Sequence, residues 1–270
     1  MTSTLPPPER PRRAQIPERT LRKDRWWLGP LFTVLGLAAF VAYATARVFQ
    51  QDYYWVSEYH YLTPFYSPCL SAGCEPGSAV FGTVPWEFPW FIPYAAITLP
   101  ILLLFRFTCY YYRKAYYRSI WQAPTACAVR EPHERYTGET RPLLLGQNLH
   151  RYFFYGAALI TVLNAYDATV ALFHGADGGF GIGVGNLVLI GNVLMLACYT
   201  FGCHSCRHAF GGRMKSFAKH PVRYWLWTRI SWLNGRHMLF AWITLGTLAV
   251  TDLYVALVAS GVITDLRIFN

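Results

Sequence analysis

The stretch His237-Met-Leu-Phe-Ala-Trp-Ile-Thr-Leu-Gly-Thr-Leu-Ala-Val-Thr-Asp252-Leu-Tyr-Val-Ala-Leu-Val-Ala-Ser260 decides the fold. It holds one carboxylate and no Lys or Arg, and as a helix it is long enough to cross a hydrocarbon core of roughly 30 Å. Four further runs of this kind lie upstream, at about Trp27–Phe49, Phe88–Tyr110, Tyr152–Phe173 and Val184–Cys203. The chain is therefore read as an all-α integral membrane protein, a bundle of five transmembrane helices. Pro30, Pro89 and Pro93 sit where a missing N–H costs little, whereas Pro100 predicts a kink in the second span.

Composition agrees. The 270 residues are 54% hydrophobic and 17% aromatic but only 14% charged, against about 25% charged in soluble domains. That excludes a soluble enzyme, a disordered protein and a nucleic-acid-binding domain. The lack of period-2 alternation argues against an outer-membrane barrel. A formal charge of +10 beside a mean hydropathy of +0.21 becomes intelligible once the charges are located. Seven Lys and Arg lie in the tail from Arg10 to Arg25, eight from Arg106 to Arg151, and seven from Arg207 to Arg236; only Arg47 and Arg267 fall elsewhere. The positive-inside rule makes the basic side cytoplasmic, with the N-terminus in and the C-terminus out.

The expected organisation is a basic Pro/Arg-rich cytoplasmic tail (1–26), a membrane domain (27–260) and a short extracytoplasmic tail (261–270). The membrane domain includes an extracytoplasmic loop, 50–87, and cytoplasmic loops 111–151 and 204–236. Arg12-Arg13 and Ala44-Thr45-Ala46 resemble targeting signals only superficially, and the first span is read as uncleaved. The extracytoplasmic loop holds Cys69 and Cys74, read as a local structural disulfide in an oxidising compartment.

Ligand-type residues gather at one depth, the cytoplasmic ends of spans three, four and five. His150 opens the third span, His237 opens the fifth, and the fourth ends in Cys203-His204-Ser205-Cys206-Arg207-His208. On an unbroken helix Cys203 and Cys206 share one face, while His204 and His208 share an adjacent one. Two cysteines from the fourth span with one histidine each from the third and fifth make a Cys₂His₂ set. That set suits zinc or a Rieske-type [2Fe–2S] centre, and the two histidines alone suit a bis-imidazole haem b. Each residue also has a plain reading, the histidines as headgroup-level side chains and the cysteines as small buried hydrophobes. Cys109 is a possible additional ligand.

Two carboxylates lie deeper. Asp167 and Asp252 fall about 22–25 Å beyond the histidine plane, in similar local strings. They are candidates for a proton relay, or structural acids bonded by Asn164, Tyr166 or Tyr254. On the cytoplasmic side, Tyr110, Arg113, Tyr117 and Trp121, with Trp225 and Trp232, form an aromatic and basic belt. Such a rim either anchors the interface or holds a flat quinone.

The strings Gly-Gln-Asn-Leu-His150-Arg-Tyr-Phe-Phe-Tyr-Gly, Cys203-His-Ser-Cys206-Arg-His208-Ala-Phe-Gly-Gly-Arg and Asn-Gly-Arg-His237-Met-Leu-Phe resemble the membrane-anchor subunit of actinobacterial succinate dehydrogenase, respiratory complex II. The resemblance covers roughly residues 27–260. It implies a flavoprotein subunit and an iron–sulfur subunit docked on the cytoplasmic face, with electrons from succinate passing to a quinone, menaquinone or ubiquinone, bound in this chain. Better-known single-chain anchors carry two haems with axial histidines on spans one, two, four and five. Here the first two spans contain no histidine, which disfavours that arrangement. The resemblance points instead to a membrane-embedded Rieske-type [2Fe–2S] cluster, with Cys203, Cys206, His150 and His237 as ligands and His208 and His204 in reserve, since local unwinding after Gly202 could bring either in. The alternatives are a haem b cytochrome anchor and a non-redox transporter or assembly protein. The basic inner face also suits anionic membrane lipids, and nucleic acid is not an expected partner.

Overall fold

The computed structural model describes residues 23–86, 89–129, 132–133, 141–175 and 178–270. Its helices are α1 (Leu28–Gln50), α2 (Thr98–Thr108), α3 (Tyr110–Ser119), α4 (Arg141–Val170), α5 (Val184–Phe201), α6 (His204–Gly211), α7 (Pro221–Asn234) and α8 (His237–Ala259). Four of them, α1, α4 from Leu144 onward, α5 and α8, are long and apolar enough to cross a membrane. The two-residue strands β1 (Trp55–Val56) and β2 (Tyr61–Leu62) pair antiparallel, as do β3 (Ile182–Gly183) and β4 (Arg267–Phe269). Most of residues 1–26, the expected tail, lies outside the described residues.

The second expected span differs from its sequence reading. Residues 89–93 are not helical; a 3₁₀ turn at Tyr94–Ile97 leads into α2, an apolar helix of only 11 residues. Pro100 falls in the first turn of α2, where its missing N–H has no intrahelical partner to lose. The interruption comes instead at Cys109, which is extended (φ −62°, ψ 134°) and caps α3. The fourth span is also interrupted at its basic end. Gly202 closes α5, and Cys203 is extended (φ −66°, ψ 148°) as the N-cap of α6. The unbroken helix assumed for Cys203–His208 is therefore absent.

The core is built on α8, which packs chiefly on α5, while α4 lies against both α2 and α5. α1 is peripheral, with only Ala44, Arg47 and Val48 buried. An apolar cluster of Phe105, Cys109, Tyr112, Phe154, Tyr199, Cys203, Cys206 and Phe240 fills the basic end. A second cluster joins Ala44 and Val48 of α1 to Tyr54, Trp55, Leu62, Phe65 and Tyr66 of the loop beyond. This loop is a packed cap: Tyr54 and Tyr66 stack at 4.3 Å, and Tyr66 donates to the Val48 carbonyl at 2.6 Å. The expected Cys69–Cys74 disulfide is formed within it.

The two deep carboxylates have partners other than those expected. Asp252, wholly buried, accepts from Arg47 Nε at 2.7 Å and from Tyr43 at 2.6 Å, both on α1. Asp167 accepts from Ser67 of this cap. Tyr254 turns away to Asp265, and Asn164 donates to the Ile160 carbonyl. Asp265 also accepts from Tyr61 and the Gly185 amide, tying the C-terminal segment to the cap and to the start of α5.

Candidate metal centre

At the basic end the two helix interruptions face two histidines. His150 is buried on α4, and its Nε2 lies 2.9 Å from Cys203 Sγ. His237, the buried first residue of α8, places Nε2 3.4 Å from Cys109 Sγ. Both cysteines are almost completely buried and both are helix N-caps. The Ser205 amide points at the Cys203 sulfur at 3.4 Å, and the amides of Tyr111 and Tyr112 approach that of Cys109. Amides and the positive end of a helix dipole favour a thiolate, the form of cysteine that ligates metals.

The histidines are held by their rings and by their remaining nitrogens. Thr108 donates its hydroxyl to the Leu104 carbonyl at 2.7 Å, so its oxygen is free to accept from His150 Nδ1 at 2.9 Å. This fixes the Nδ1–H tautomer and leaves the Nε2 lone pair aimed at Cys203, the form required of a ligand. Phe105 stacks on His150 (4.9 Å, 3°) and Tyr199 on His237 (4.8 Å, 8°). His237 Nδ1 is buried with no partner. Among the described residues no three His, Cys, Asp or Glu side chains close on a single metal position; the donors stand as two imidazole–sulfur pairs.

Three of the four expected ligands, Cys203, His150 and His237, thus come together, and Cys109 joins them. Cys206 is buried in the same apolar cluster but makes no contact with either imidazole. His204 is exposed and lines the adjoining cavity, and His208 turns outward to Arg151 at 3.2 Å. That cavity, of about 640 Å³, is bounded by Tyr110, Tyr111, Lys114, Gln147 and Asn148 along with the paired donors. The expected aromatic rim divides. Tyr110, Arg113 and Tyr117 share a small pocket of about 170 Å³, whereas Trp121 stacks on His133. Trp225 and Trp232 lie exposed on α7 beneath Arg229 and Arg236.

The family model described as actinobacterial succinate dehydrogenase subunit SdhC matches residues 28–261. The chain belongs to this SdhC family. A chain of the solved Mycobacterium smegmatis Sdh1 complex in the apo form is similar, at 67% identity and a TM-score of 0.89, covering 97% of this chain and 98% of that one. No curated protein matches. As an SdhC-family member the chain is a multi-pass membrane subunit of a succinate:quinone oxidoreductase.

Two residues of this SdhC-family chain escape a reading by composition. Cys109 is reduced to a possible outsider if the second span is drawn straight through it. Arg106, three residues earlier, counts as a loop cation in a charge tally, yet it lies inside the bundle. Its guanidinium donates to Tyr112 Oη at 2.6 Å and Thr244 Oγ1 at 3.1 Å and stands 4.7 Å from the Tyr199 ring centre. The signal available for both was Arg106-Phe-Thr-Cys109, a cation and a thiol one turn apart in an apolar run.

Proposed function

We propose that this chain is the membrane anchor through which electrons from succinate reach a quinone, with a Rieske-type [2Fe–2S] cluster held at its basic end by Cys109, Cys203, His150 and His237. The observation that carries the reading is that two buried thiols, both at helix interruptions, line one cavity with two buried imidazoles. Two thiols and two imidazoles are the donor set such a cluster requires, and they fit it in type and burial. Cys109 takes the place first expected for Cys206, because it contacts a histidine and caps a helix while Cys206 does neither. A haem held by His150 and His237 is less well supported, since each Nε2 faces sulfur.

When bound, the cluster supplies one-electron transfer. The chain's own residues do the rest: Thr108 orients His150, helix N-termini favour the two thiolates, and Phe105 and Tyr199 hold the imidazole planes by stacking on them. The bundle is read as five spans, N-terminus inside, with α2 completing the set. The flavoprotein and iron–sulfur subunits dock on the basic end, and the quinone head group occupies the cavity beside Tyr110 and Gln147. Low-temperature EPR of the dithionite-reduced complex tests this. A signal with average g below 2 is expected, lost in the double variant His150→Ala, His237→Ala. Retention of the signal, or a haem Soret band in its place, counts against the assignment.

A further inference from the structure

We propose that Arg106 is the fixed positive charge that sets the reduction potential of the redox centre, an inference that rests on the cluster reading above. An arginine within an apolar helix of a membrane bundle is costly unless its charge is answered. The other two arginines described within the protein's interior networks are each answered by a carboxylate, Arg47 by Asp252 at 2.7 Å and Arg267 by Asp265 at 3.3 Å. Arg106 is not. Its guanidinium meets Tyr112 Oη, Thr244 Oγ1 and the Ala241 carbonyl, all neutral, and no carboxylate among the described residues is within ion-pair distance. Arg106 also lines a mainly apolar cavity of about 430 Å³ with residues of α1, α2, α4 and α5, a poor substitute for water around a charge.

What the guanidinium does approach is the proposed centre. It stands against the Tyr199 ring, which is stacked on His237, and its own carbonyl accepts from the Cys109 amide at 3.1 Å. Two ferric ions, two sulfides and two thiolates with neutral imidazoles carry no net charge, and one added electron leaves a single negative charge. The electron arrives from the iron–sulfur subunit and leaves for the quinone. Arg106 makes or breaks no bond in that passage and moves no proton. It stabilises the reduced state over the oxidised one through a medium of low dielectric, which raises the potential. Tyr112 and Thr244 are positioning residues that hold the guanidinium there.

The test is a potentiometric titration of the purified complex followed by EPR, with iron and sulfide content and thermal unfolding measured alongside. Arg106→Gln should shift the midpoint downward with cluster content retained, and Arg106→Lys should return most of the shift. Thr244→Asp, which sets a carboxylate against the guanidinium, should lower the midpoint in the same sense and serves if Arg106→Gln does not assemble. An unchanged midpoint in Arg106→Gln or Thr244→Asp, with only stability reduced, overturns the proposal. Absence of iron, sulfide and signal in the wild-type chain instead removes the centre itself, a distinct failure.

Discussion

His150 Nδ1 lies 2.9 Å from Thr108 Oγ1, and because that hydroxyl already donates to Leu104, the imidazole must be the donor. One threonine thereby decides which histidine nitrogen is free for a metal. Removing such an orienting partner typically costs about 10–100-fold in metal affinity. Thr108→Val, close in volume, should therefore lower iron per purified complex or hasten its loss to a chelator, while Thr108→Ser should retain it. Equal iron retention in Thr108→Val and wild type would show that the contact does not orient the ring.

The two thiols of the fourth-span motif should behave unequally. Cys203→Ser and Cys109→Ser each remove a sulfur in contact with an imidazole and should abolish the EPR signal. Cys206→Ser removes a buried thiol with no such contact and should leave the signal in place with a modest stability loss. The reverse ranking of Cys109 and Cys206 would return the ligand to the fourth-span pair.

Arg47 and Asp252 form a buried ion pair at the other end of the bundle. Truncating one partner of such a pair leaves the other uncompensated and costs about 3–5 kcal/mol. Arg47→Gln should lower the thermal unfolding temperature clearly, and adding Asp252→Asn should restore part of the loss. Additive losses in the double variant would mean that the two side chains act independently.

The cap built on the Gln51–Ser78 loop should loosen in acid. His60 and His174 stack with ring centres 3.6 Å apart, and burial, reinforced by the neighbouring imidazole, holds His60 below the ordinary histidine range. A lowered folded value favours the neutral ring. The stability it contributes is present above the ordinary value of about 6.5 and is lost as pH falls through the lowered one. Hydrogen exchange in residues 55–62 should accelerate between about pH 7 and pH 5 once corrected for intrinsic rates. His60→Asn, which tolerates the positive φ of 54° at this position, should flatten that response.

The long apolar runs were legible because length and hydropathy alone decide them, and α1, α5 and α8 lie close to where those runs were drawn, whereas α4 begins at Arg141, well before the expected Tyr152, and carries His150 inside the helix. His150 and His237 were legible for a related reason: each marks the edge of a run. The break after Gly202 was legible as a point of local unwinding, though it brings in neither His204 nor His208; the interruption at Cys109 was not, because Cys109 is itself apolar and sits in an apolar run. Charge counting misplaced Arg106 for the opposite reason. It sees sign and position along the chain, and cannot see that Tyr112 and Thr244 fold around the guanidinium. Asp252 was singled out correctly as buried, but its partner Arg47 was counted only as a cation outside the basic segments.

That ion pair also bears on how the protein is made. The bond from Arg47 to Asp252 joins residues 205 positions apart, so the first helix is synthesised well before its carboxylate. Until α8 has been synthesised and inserted, Arg47 has only Gln50 and the backbone carbonyls of Asp52 and Tyr53 to answer its charge. The pair thus ties the first long helix of the chain to the last, so this buried charge is answered only in a chain that runs through α8.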